Sequence, residues 1–168
     1  MVDLDPEKYG VDPSDNLPFE RVGAWVREKH ERLTKYVDIS RAVRRKFVEG
    51  RSGEATFIDL YCGPGRSQIR GTNELIDGGC VAAWKKSSER SGQFTKVVIS
   101  DSKPELSRAA EARLIALNAP ATALSGLAED VVDGLVSSLG RHGLHFAYLD
   151  PFNLNALPFS VIRSLAKL

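Results

Sequence analysis

Four short apolar runs alternate along the chain with longer segments that have the spacing of amphipathic helices. The runs occupy residues 55–61, 96–100, 121–124 and 145–149, of which 121–124 is only a weak strand prediction. The first run is β-branched and aromatic, and an apolar run this dense is typical of a strand buried on both faces, as in a parallel sheet. The helical segments between and after them occupy residues 80–86, 103–117 and 128–139, with a last helix from about Pro158.

Strands that alternate with helices of ten or more residues predict βαβ units. We therefore expect an α/β fold with a Rossmann-like, doubly wound, mostly parallel sheet and helices on both faces. Residues 53–168 would form the N-terminal part of this domain, which is apparently truncated after the fourth strand.

The residues before the first strand have a different pattern. Residues 1–20 contain three prolines, six acids and few apolar positions, which predicts an acidic extended or disordered leader. Residues 21–52 are predicted as an N-terminal helical segment, because apolar positions recur there on one helical face and Asp38 or Ser40 can cap a second helix. The glycine-rich residues 66–79, after the first strand, are predicted to be mostly loop.

Composition excludes several classes of protein. Hydrophobic residues make up 42% and charged residues 27% of the 168, as in globular proteins, and no run approaches the roughly 20 apolar residues of a membrane span. The acidic start does not resemble a secretory signal, so a cytoplasmic location is expected. Cys62 and Cys80 are too few for a disulfide framework, and neither the cysteines nor the histidines have metal-site spacing, so we expect reduced thiols and no metal.

Charge is unevenly distributed, although the net charge of +1 indicates no global attraction to nucleic acid. Lys8 alone offsets the acids of the leader, whereas residues 27–51 carry nine basic and four acidic side chains. Three interpretations stay open: the leader folds over the basic helix, the basic face binds phosphates, or the charges form an ordinary solvated surface.

The first strand is followed by an acid and a glycine turn. Asp59 lies near the end of the strand, and Gly63 and Gly65 flank Pro64 just beyond it. Glycines at such a turn let the backbone pass close beneath a ligand and adopt positive φ. The acid can hold the amides of the turn or contact an ammonium group of a ligand. A Gly-x-Gly turn is also the sequence of an ordinary connection, so this signal is weak on its own.

The second strand ends at Asp101, where Rossmann-type domains position an acid that accepts hydrogen bonds from ribose hydroxyls. The same carboxylate is also suited to capping the helix that begins near Pro104. The interval between Asp59 and Asp101 is about twice the usual separation of roughly 20 residues. The segment 66–79 accounts for that excess.

The fourth strand is followed by Asp150, Pro151 and Phe152. Proline fixes the backbone, the carboxylate and nearby carbonyls can accept from an amine, and the phenyl ring can stack on a planar group. The run resembles the Asp-Pro-Pro-Tyr loop of amino-group methyltransferases, with the aromatic one place earlier. As a sequence it is also an ordinary turn.

Taken in chain order, these residues resemble the three-Cys-motif partner proteins, relatives of the class I S-adenosylmethionine methyltransferases. The likeness covers most of the chain after the leader and rests on Trp25, Lys29, His30, Leu33, residues 57–66, Gly78, Gly79, residues 99–101, Pro104, Glu105 and residues 148–152. The resemblance implies S-adenosylmethionine as cofactor, with contacts from Asp59, Tyr61, Gly63, Gly65 and Asp101. It also implies that the methyl acceptor is contacted by Asp150, Pro151 and Phe152.

The chain departs from this pattern at two points. After the third strand such domains often carry an acid for the adenine amino group, but Leu127 stands there, so Glu129 or Asp130 would have to supply it. A class I methyltransferase also has seven strands, whereas the pattern here reaches only the fourth. In the order 3-2-1-4 that strand is an exposed edge, so we expect either a fragment or a subunit covered by another chain or a second copy.

The leading hypothesis is an S-adenosylmethionine-dependent methyltransferase-like domain that acts on a nitrogen of a nucleic acid or a small molecule. One alternative is a nucleotide- or NAD-binding Rossmann domain, which Arg66 favours because it can bind an anion just past the glycines. Another is a non-catalytic module that partners another protein.

Overall fold

The structure, a computed structural model, describes residues 4–50 and 53–168. Its strands are β1 (Tyr9–Val11), β2 (Pro18–Val22), β3 (Ala55–Asp59), β4 (Arg66–Ile69), β5 (Leu75–Asp77), β6 (Lys96–Asp101), β7 (Ala121–Ser125) and β8 (Leu144–Tyr148). Its helices are α1 (Val26–Ile39), α2 (Arg41–Val48), α3 (Gly79–Ser88), α4 (Pro104–Ala116), α5 (Ala128–Ser138) and α6 (Phe159–Leu165), with a 3-10 turn at Leu154–Ala156. Residues 1–3 of the predicted leader and residues 51–52 of the predicted helical segment lie outside the described residues.

The larger sheet is built from the four predicted strands. Its order is β7-β6-β3-β8, and every neighbouring pair is parallel. The predicted 3-2-1-4 order is therefore confirmed. Because β8 pairs only with β3 among the described strands, it forms an edge of the sheet. β3 lies at the centre, and all five of its residues are buried.

Helices cover both faces of this sheet, as predicted. On one face α1, α3 and α4 pack in a core that includes Val37, Trp84 and Leu114. On the other face α5 and α6 pack in a second core that includes Leu135 and Val161. The architecture is α/β and Rossmann-like. Among the described residues, no helix combines the length and apolar character that a membrane span requires.

A second, smaller sheet corrects two predictions. The predicted leader supplies β1 and β2, and the predicted loop 66–79 supplies β4 and β5, in the order β1-β2-β4-β5. β1 and β2 are antiparallel, β2 and β4 are parallel, and β4 and β5 are antiparallel. Each of these strands has only three to five residues. The alternation of apolar and polar residues was therefore too short to indicate a strand.

A buried arginine anchors the N-terminal strands to the larger sheet. Arg113 on α4 donates to both carboxylate oxygens of Asp15, at 2.8 and 2.9 Å, and to the carbonyl of Pro64 in the glycine turn at 2.6 Å. Asp12 lies 3.9 Å from Arg113 and 3.5 Å from Arg66. The leader acids therefore pair with α4 and the small sheet, and no ion pair joins Asp12 or Asp15 to α1 in the part of the chain that is described.

The helical segment follows the prediction with one difference in detail. α1 and α2 are separated at Ser40, but its side chain makes no capping hydrogen bond to α2. Instead Ser40 accepts from the buried guanidinium of Arg44 at 2.6 Å, and Arg44 also donates to the carbonyl of Gly92 at 2.8 Å. Much of the basic surface of α1 is solvated, with exposed Arg32 paired to Glu28 on the same helix.

Candidate functional site

A cavity of about 630 Å³ opens at the carboxyl ends of β3, β6 and β8. Ligands bind at this edge of open α/β sheets because the connections there diverge to the two faces. The cavity brings together all eight sequence-predicted site residues, namely Asp59, Tyr61, Gly63, Gly65, Asp101, Asp150, Pro151 and Phe152. Its volume lies within the range of roughly 300–1,000 Å³ that is typical of ligand pockets.

The glycine turn forms one wall, and its two glycines have different surroundings. Both have positive φ, +55° at Gly63 and +74° at Gly65. A Cβ on Gly65 would lie 3.0 Å from the Cα of Ala110 on α4, so that position requires close packing of backbone against helix. A Cβ on Gly63 would instead have Glu20 as its nearest neighbour, at 3.5 Å. Gly63 is therefore the glycine that leaves room inside the cavity.

Asp101 supports the turn from the neighbouring strand. One carboxylate oxygen accepts the amide N–H of Gly63 at 3.1 Å, and the other accepts the amide N–H of Lys103 at 3.0 Å, just before α4. Each carboxylate oxygen has lone pairs for about two hydrogen bonds, so capacity remains for a ligand hydroxyl. The predicted capping role is wrong, because Lys103 occupies the N-cap of α4 and no side chain caps the helix; Asp101 instead holds the turn before α4 and can still contact a ligand.

Asp59 is the most deeply buried acid of the cavity wall, at 1% exposed. It accepts the amide N–H of Tyr61 at 3.0 Å. Asp59 therefore holds an amide of the turn, which is one of the two roles predicted for it. Burial, and then the nearby carboxylates of Asp150 and Asp101, raises the pKa of Asp59 to about 8. Charging this carboxyl is costly because burial removes its hydration, and Lys29 offsets only part of that cost. A cationic ligand would remove that cost.

Asp150 is held by an ion pair from the opposite side of the cavity. The ammonium of Lys29 on α1 contacts its carboxylate and also lies 4.7 Å from the ring centroid of Trp25. His30 on the same helix is half-buried and lines the cavity. Burial, and then the neighbouring Lys29, lowers the pKa of His30. α1 therefore contributes charge and aromatic surface to the site.

Tyr148 is a functional candidate that sequence reasoning missed. Its hydroxyl is buried in the cavity wall near the carboxylate of Asp150 but makes no hydrogen bond of good geometry to a described residue. Burial, followed by the carboxylates of Asp150 and Asp59 and by a hydrogen-bonding contact with Asp150, raises the pKa of this phenol. The phenol is therefore neutral at physiological pH, and its hydroxyl can donate either to Asp150 or to a ligand. Gly79 makes room for the ring, because a Cβ there would lie 2.9 Å from it.

Tyr61, Leu127 and Glu129 line another part of the cavity. The hydroxyl of Tyr61 donates to the carbonyl of Ala156 at 2.6 Å, so its ring is fixed across this side. Leu127 lines the cavity where the family pattern has an acid. Glu129 also lines it, whereas Asp130 does not, so Glu129 is the carboxylate within reach of this end.

The N-terminal strands close the cavity, which the prediction of a leader did not anticipate. Lys8, Tyr9 and Glu20 all line it. The ammonium of Lys8 lies 3.3 Å from Glu20 and 4.9 Å from the ring centroid of Phe152. Although burial opposes the charge, Glu20 raises the pKa of Lys8. The only sequence signal for this wall was the charge of the leader, which Arg113 and Arg66 complement.

One further expectation about this region is wrong. Arg66 was a candidate for binding an anion, but it pairs with Asp12 at 3.5 Å and Asp77 at 3.7 Å and does not line the cavity. Burial raises the pKa of the Cys62 thiol well above its usual range. Cys62 and Cys80 are both buried free thiols.

Comparison of the chain with protein-family models, with curated proteins and with solved structures found no match in any of the three. The geometry and charge of the cavity are therefore the features that bear on function.

Proposed function

We propose that this protein binds S-adenosylmethionine in the cavity and transfers its methyl group to a nitrogen. The observation that carries the proposal is the carboxylate cluster, which we define as Asp59, Asp101 and Asp150, around the glycine turn. S-adenosylmethionine has a positive sulfonium and a positive ammonium, and burying positive charge is favourable only beside compensating negative charge. The cluster supplies that charge at the carboxyl ends of three neighbouring strands.

Other residues of the cavity are complementary to the remaining parts of the cofactor. Asp101 retains capacity to accept from ribose hydroxyls, and Tyr61 and Leu127 offer apolar surface for the adenine. Glu129 is the candidate acceptor for the adenine amino group in place of the missing acid. Gly63 leaves the space that the chain of the methionine part requires.

S-adenosylmethionine supplies an electrophilic methyl group: the C–S bond breaks with its electron pair left on sulfur, the nitrogen lone pair forms the new N–C bond, and a proton leaves the nitrogen for water. Most of the catalysis would come from positioning the two reactants in line. The ion pair with Lys29 fixes the carboxylate of Asp150 at the acceptor side, where Pro151 restricts the backbone. The buried hydroxyl of Tyr148 can orient the acceptor amine.

A dinucleotide is a poorer fit to this charge distribution. The pyrophosphate of NAD requires donors and positive charge at the glycine turn. The turn here faces acids instead, and Arg66, the nearest cation in sequence, is paired away from the cavity with Asp12 and Asp77. At the glycine turn, where a pyrophosphate would have to bind, this favours a cationic group over an anionic one.

Calorimetric titration of the protein with S-adenosylmethionine, S-adenosylhomocysteine and NAD tests the proposal. We expect both adenosyl compounds to bind and NAD to show no heat of binding. Binding of NAD alone would overturn the proposal in favour of a Rossmann nucleotide site. Binding of none of the three would overturn it in favour of a non-catalytic module.

Asp101→Ala is expected to weaken S-adenosylmethionine binding by about 1–3 kcal/mol, because a hydrogen-bonded carboxylate is lost from the ribose. Asp101→Asn keeps one oxygen acceptor, so its affinity in the same calorimetric titration should lie between those of Asp101→Ala and the wild type. Asp38→Ala, an exposed acid of α1 that does not line the cavity, is the control. Unchanged affinity in Asp101→Ala would remove this residue from the site.

Gly63→Val is expected to abolish binding in that titration, because its side chain would project into the cavity. The positive φ adds a stability cost of about 1–2 kcal/mol. Gly71→Val is a matched control, since Gly71 has φ +78° and open space around it but does not line the cavity. Equal loss of binding in both variants would show that backbone strain, and not occupied space, is responsible.

A further inference from the structure

Aromatic rings and ammonium groups alternate at the mouth of the cavity. Lys8 lies 4.9 Å from the ring centroid of Phe152 and 5.3 Å from that of Tyr9, and Lys103 lies 5.0 Å from the same Tyr9 ring. All four side chains line the cavity. Cation–π contacts of this kind keep ring faces and positive charge next to each other at one surface. We call these four residues, together with Trp25 and Arg70, the rim.

Two of the rim aromatics are open to solvent. Trp25 is 65% exposed and Phe152 is 85% exposed, and both border the same cavity. Single exposed aromatics are common on protein surfaces and need no explanation. Two at one cavity mouth provide flat apolar faces on which a planar group can stack.

The rim also carries positive charge that the described residues do not neutralise. Neither the ammonium of Lys103 nor the guanidinium of Arg70 forms an ion pair with any carboxylate in residues 4–50 and 53–168. Three acids of the cavity, Asp59, Asp101 and Asp150, lie around the glycine turn, whereas Glu20 pairs with Lys8 and the exposed Glu129 also lines the cavity. Negative charge is therefore concentrated at the glycine turn, and the unpaired positive charge of Lys103 and Arg70 lies with the aromatic faces of the rim.

This polarity distinguishes the two reactants of a methyl transfer. The carboxylates at the glycine turn suit a cationic cofactor, while the rim suits an acceptor that is planar and carries negative charge outside its ring. Stacking faces interleaved with cations are the features by which proteins hold single-stranded nucleic acids. A base within a duplex could not reach the cavity without leaving the stack.

We propose that the methyl acceptor is a nucleobase of a single-stranded nucleic acid, which stacks on Phe152 and Trp25 while Lys103 and Arg70 contact its phosphates. This inference rests on the proposed function, because it names the substrate class of the same site. A nitrogen of the base provides the electron pair for the new N–C bond and releases its proton to water, as described above. Binding of the strand itself requires no cofactor.

Fluorescence anisotropy with a labelled single strand of about 12 nucleotides measures this binding directly. DNA, RNA, the matching duplex and a nucleoside monophosphate form four arms. We expect one or both single strands to bind more tightly than the duplex and the monophosphate. Phe152→Ala should weaken single-strand binding by roughly 5- to 150-fold, the range for one lost base–aromatic stack.

A double variant, Lys103→Gln with Arg70→Gln, tests the phosphate contacts. The slope of log affinity against log salt concentration should fall in magnitude by about 0.7 for each cation removed. The matched controls are Lys46→Gln with Arg90→Gln, two exposed cations outside the cavity, and Phe159→Ala, an exposed aromatic outside it. The controls should retain wild-type affinity and slope.

Three results would overturn the inference: no binding of either single strand, equal weakening in the rim variants and the controls, or preferential binding of the monophosphate. Titration of the wild type with S-adenosylmethionine separates this failure from failure of the proposed function. Cofactor binding without strand binding overturns only the nucleic acid acceptor. Strand binding without cofactor binding overturns the proposed function and leaves the rim as a nucleic acid surface.

Discussion

Replacing Arg113 by methionine is expected to lower the free energy of unfolding by about 3–5 kcal/mol, the range for removing one partner of a buried ion pair. Arg113 is 6% exposed and donates to Asp15 and to the carbonyls of Pro18 and Pro64. Methionine preserves much of the alkyl packing but leaves these acceptors and the buried Asp12 without the guanidinium. Urea denaturation followed by circular dichroism measures the loss.

The variant should also lose affinity for the ligand, because Arg113 joins the N-terminal strands to the glycine turn. Arg108→Met is the matched control, since Arg108 is exposed on the same helix. Arg113→Lys should recover little stability, because one ammonium cannot reproduce the geometry of a guanidinium that serves several acceptors. A difference of less than about 0.5 kcal/mol between Arg113→Met and Arg108→Met would show that the buried pair contributes little.

Acid titration gives a second readout of the same contact. Burial alone would raise the pKa of Asp15, but the hydrogen bonds from Arg113 lower it below 3.8. A lowered folded-state pKa contributes stability that is present above the ordinary value and is lost as pH falls through the folded value. Arg113→Met should therefore lack this contribution at neutral pH, and the difference in stability between the wild type and the variant should narrow as pH falls through the folded-state pKa of Asp15.

The sequence was sufficient to predict the parallel sheet because its central strand is a dense apolar run and because the strands alternate with helices. A central strand such as β3 is buried on both faces, so every residue from Ala55 to Asp59 must suit an interior. The convergence of Asp59, Asp101 and Asp150 followed from the same reasoning, since parallel strands end at one edge. Their meeting in one cavity could therefore be expected before any coordinates.

The small sheet could not be predicted from local pattern. β2 pairs with β4, for example Glu20 opposite Ser67, across a long stretch of chain, and both strands contain polar residues. They are held by long-range contacts such as that of Arg113 with the carbonyl of Pro18, which no window of sequence displays. As a result, Lys8, Tyr9 and Glu20 were not among the predicted site residues.

Losing a buried polar group usually destabilises a protein. Asp59→Asn is expected instead to be more stable than the wild type at high pH. The folded-state pKa of Asp59 is raised from 3.8 to about 8, so the stability associated with its proton is fully present below 3.8 and is lost as pH rises towards 8. The slope from this one group is at most about 1.4 kcal/mol per pH unit. Asparagine does not titrate, so the variant should become more stable than the wild type above pH 8.

The same residue should couple ligand binding to proton release. A cationic ligand favours the charged carboxylate, so S-adenosylmethionine should expel the proton of Asp59, and its affinity should rise by up to about tenfold per pH unit towards pH 8 and level off above it. Asp59→Asn should bind more weakly and without this pH dependence. Calorimetry in buffers of different ionisation enthalpy counts the protons released.

Asp38→Asn, at an exposed acid of α1, provides the control for both measurements. If Asp59→Asn were less stable than the wild type at pH 9 and the wild type released no proton on binding, Asp59 would already be charged in the free protein. Lys29 and the hydrogen bond from the amide of Tyr61 would then be sufficient to keep the carboxylate of Asp59 charged before a cationic ligand binds. If the predicted gain in stability and loss of affinity occur together, the buried acid is retained at a cost to the fold because the ligand requires its charge.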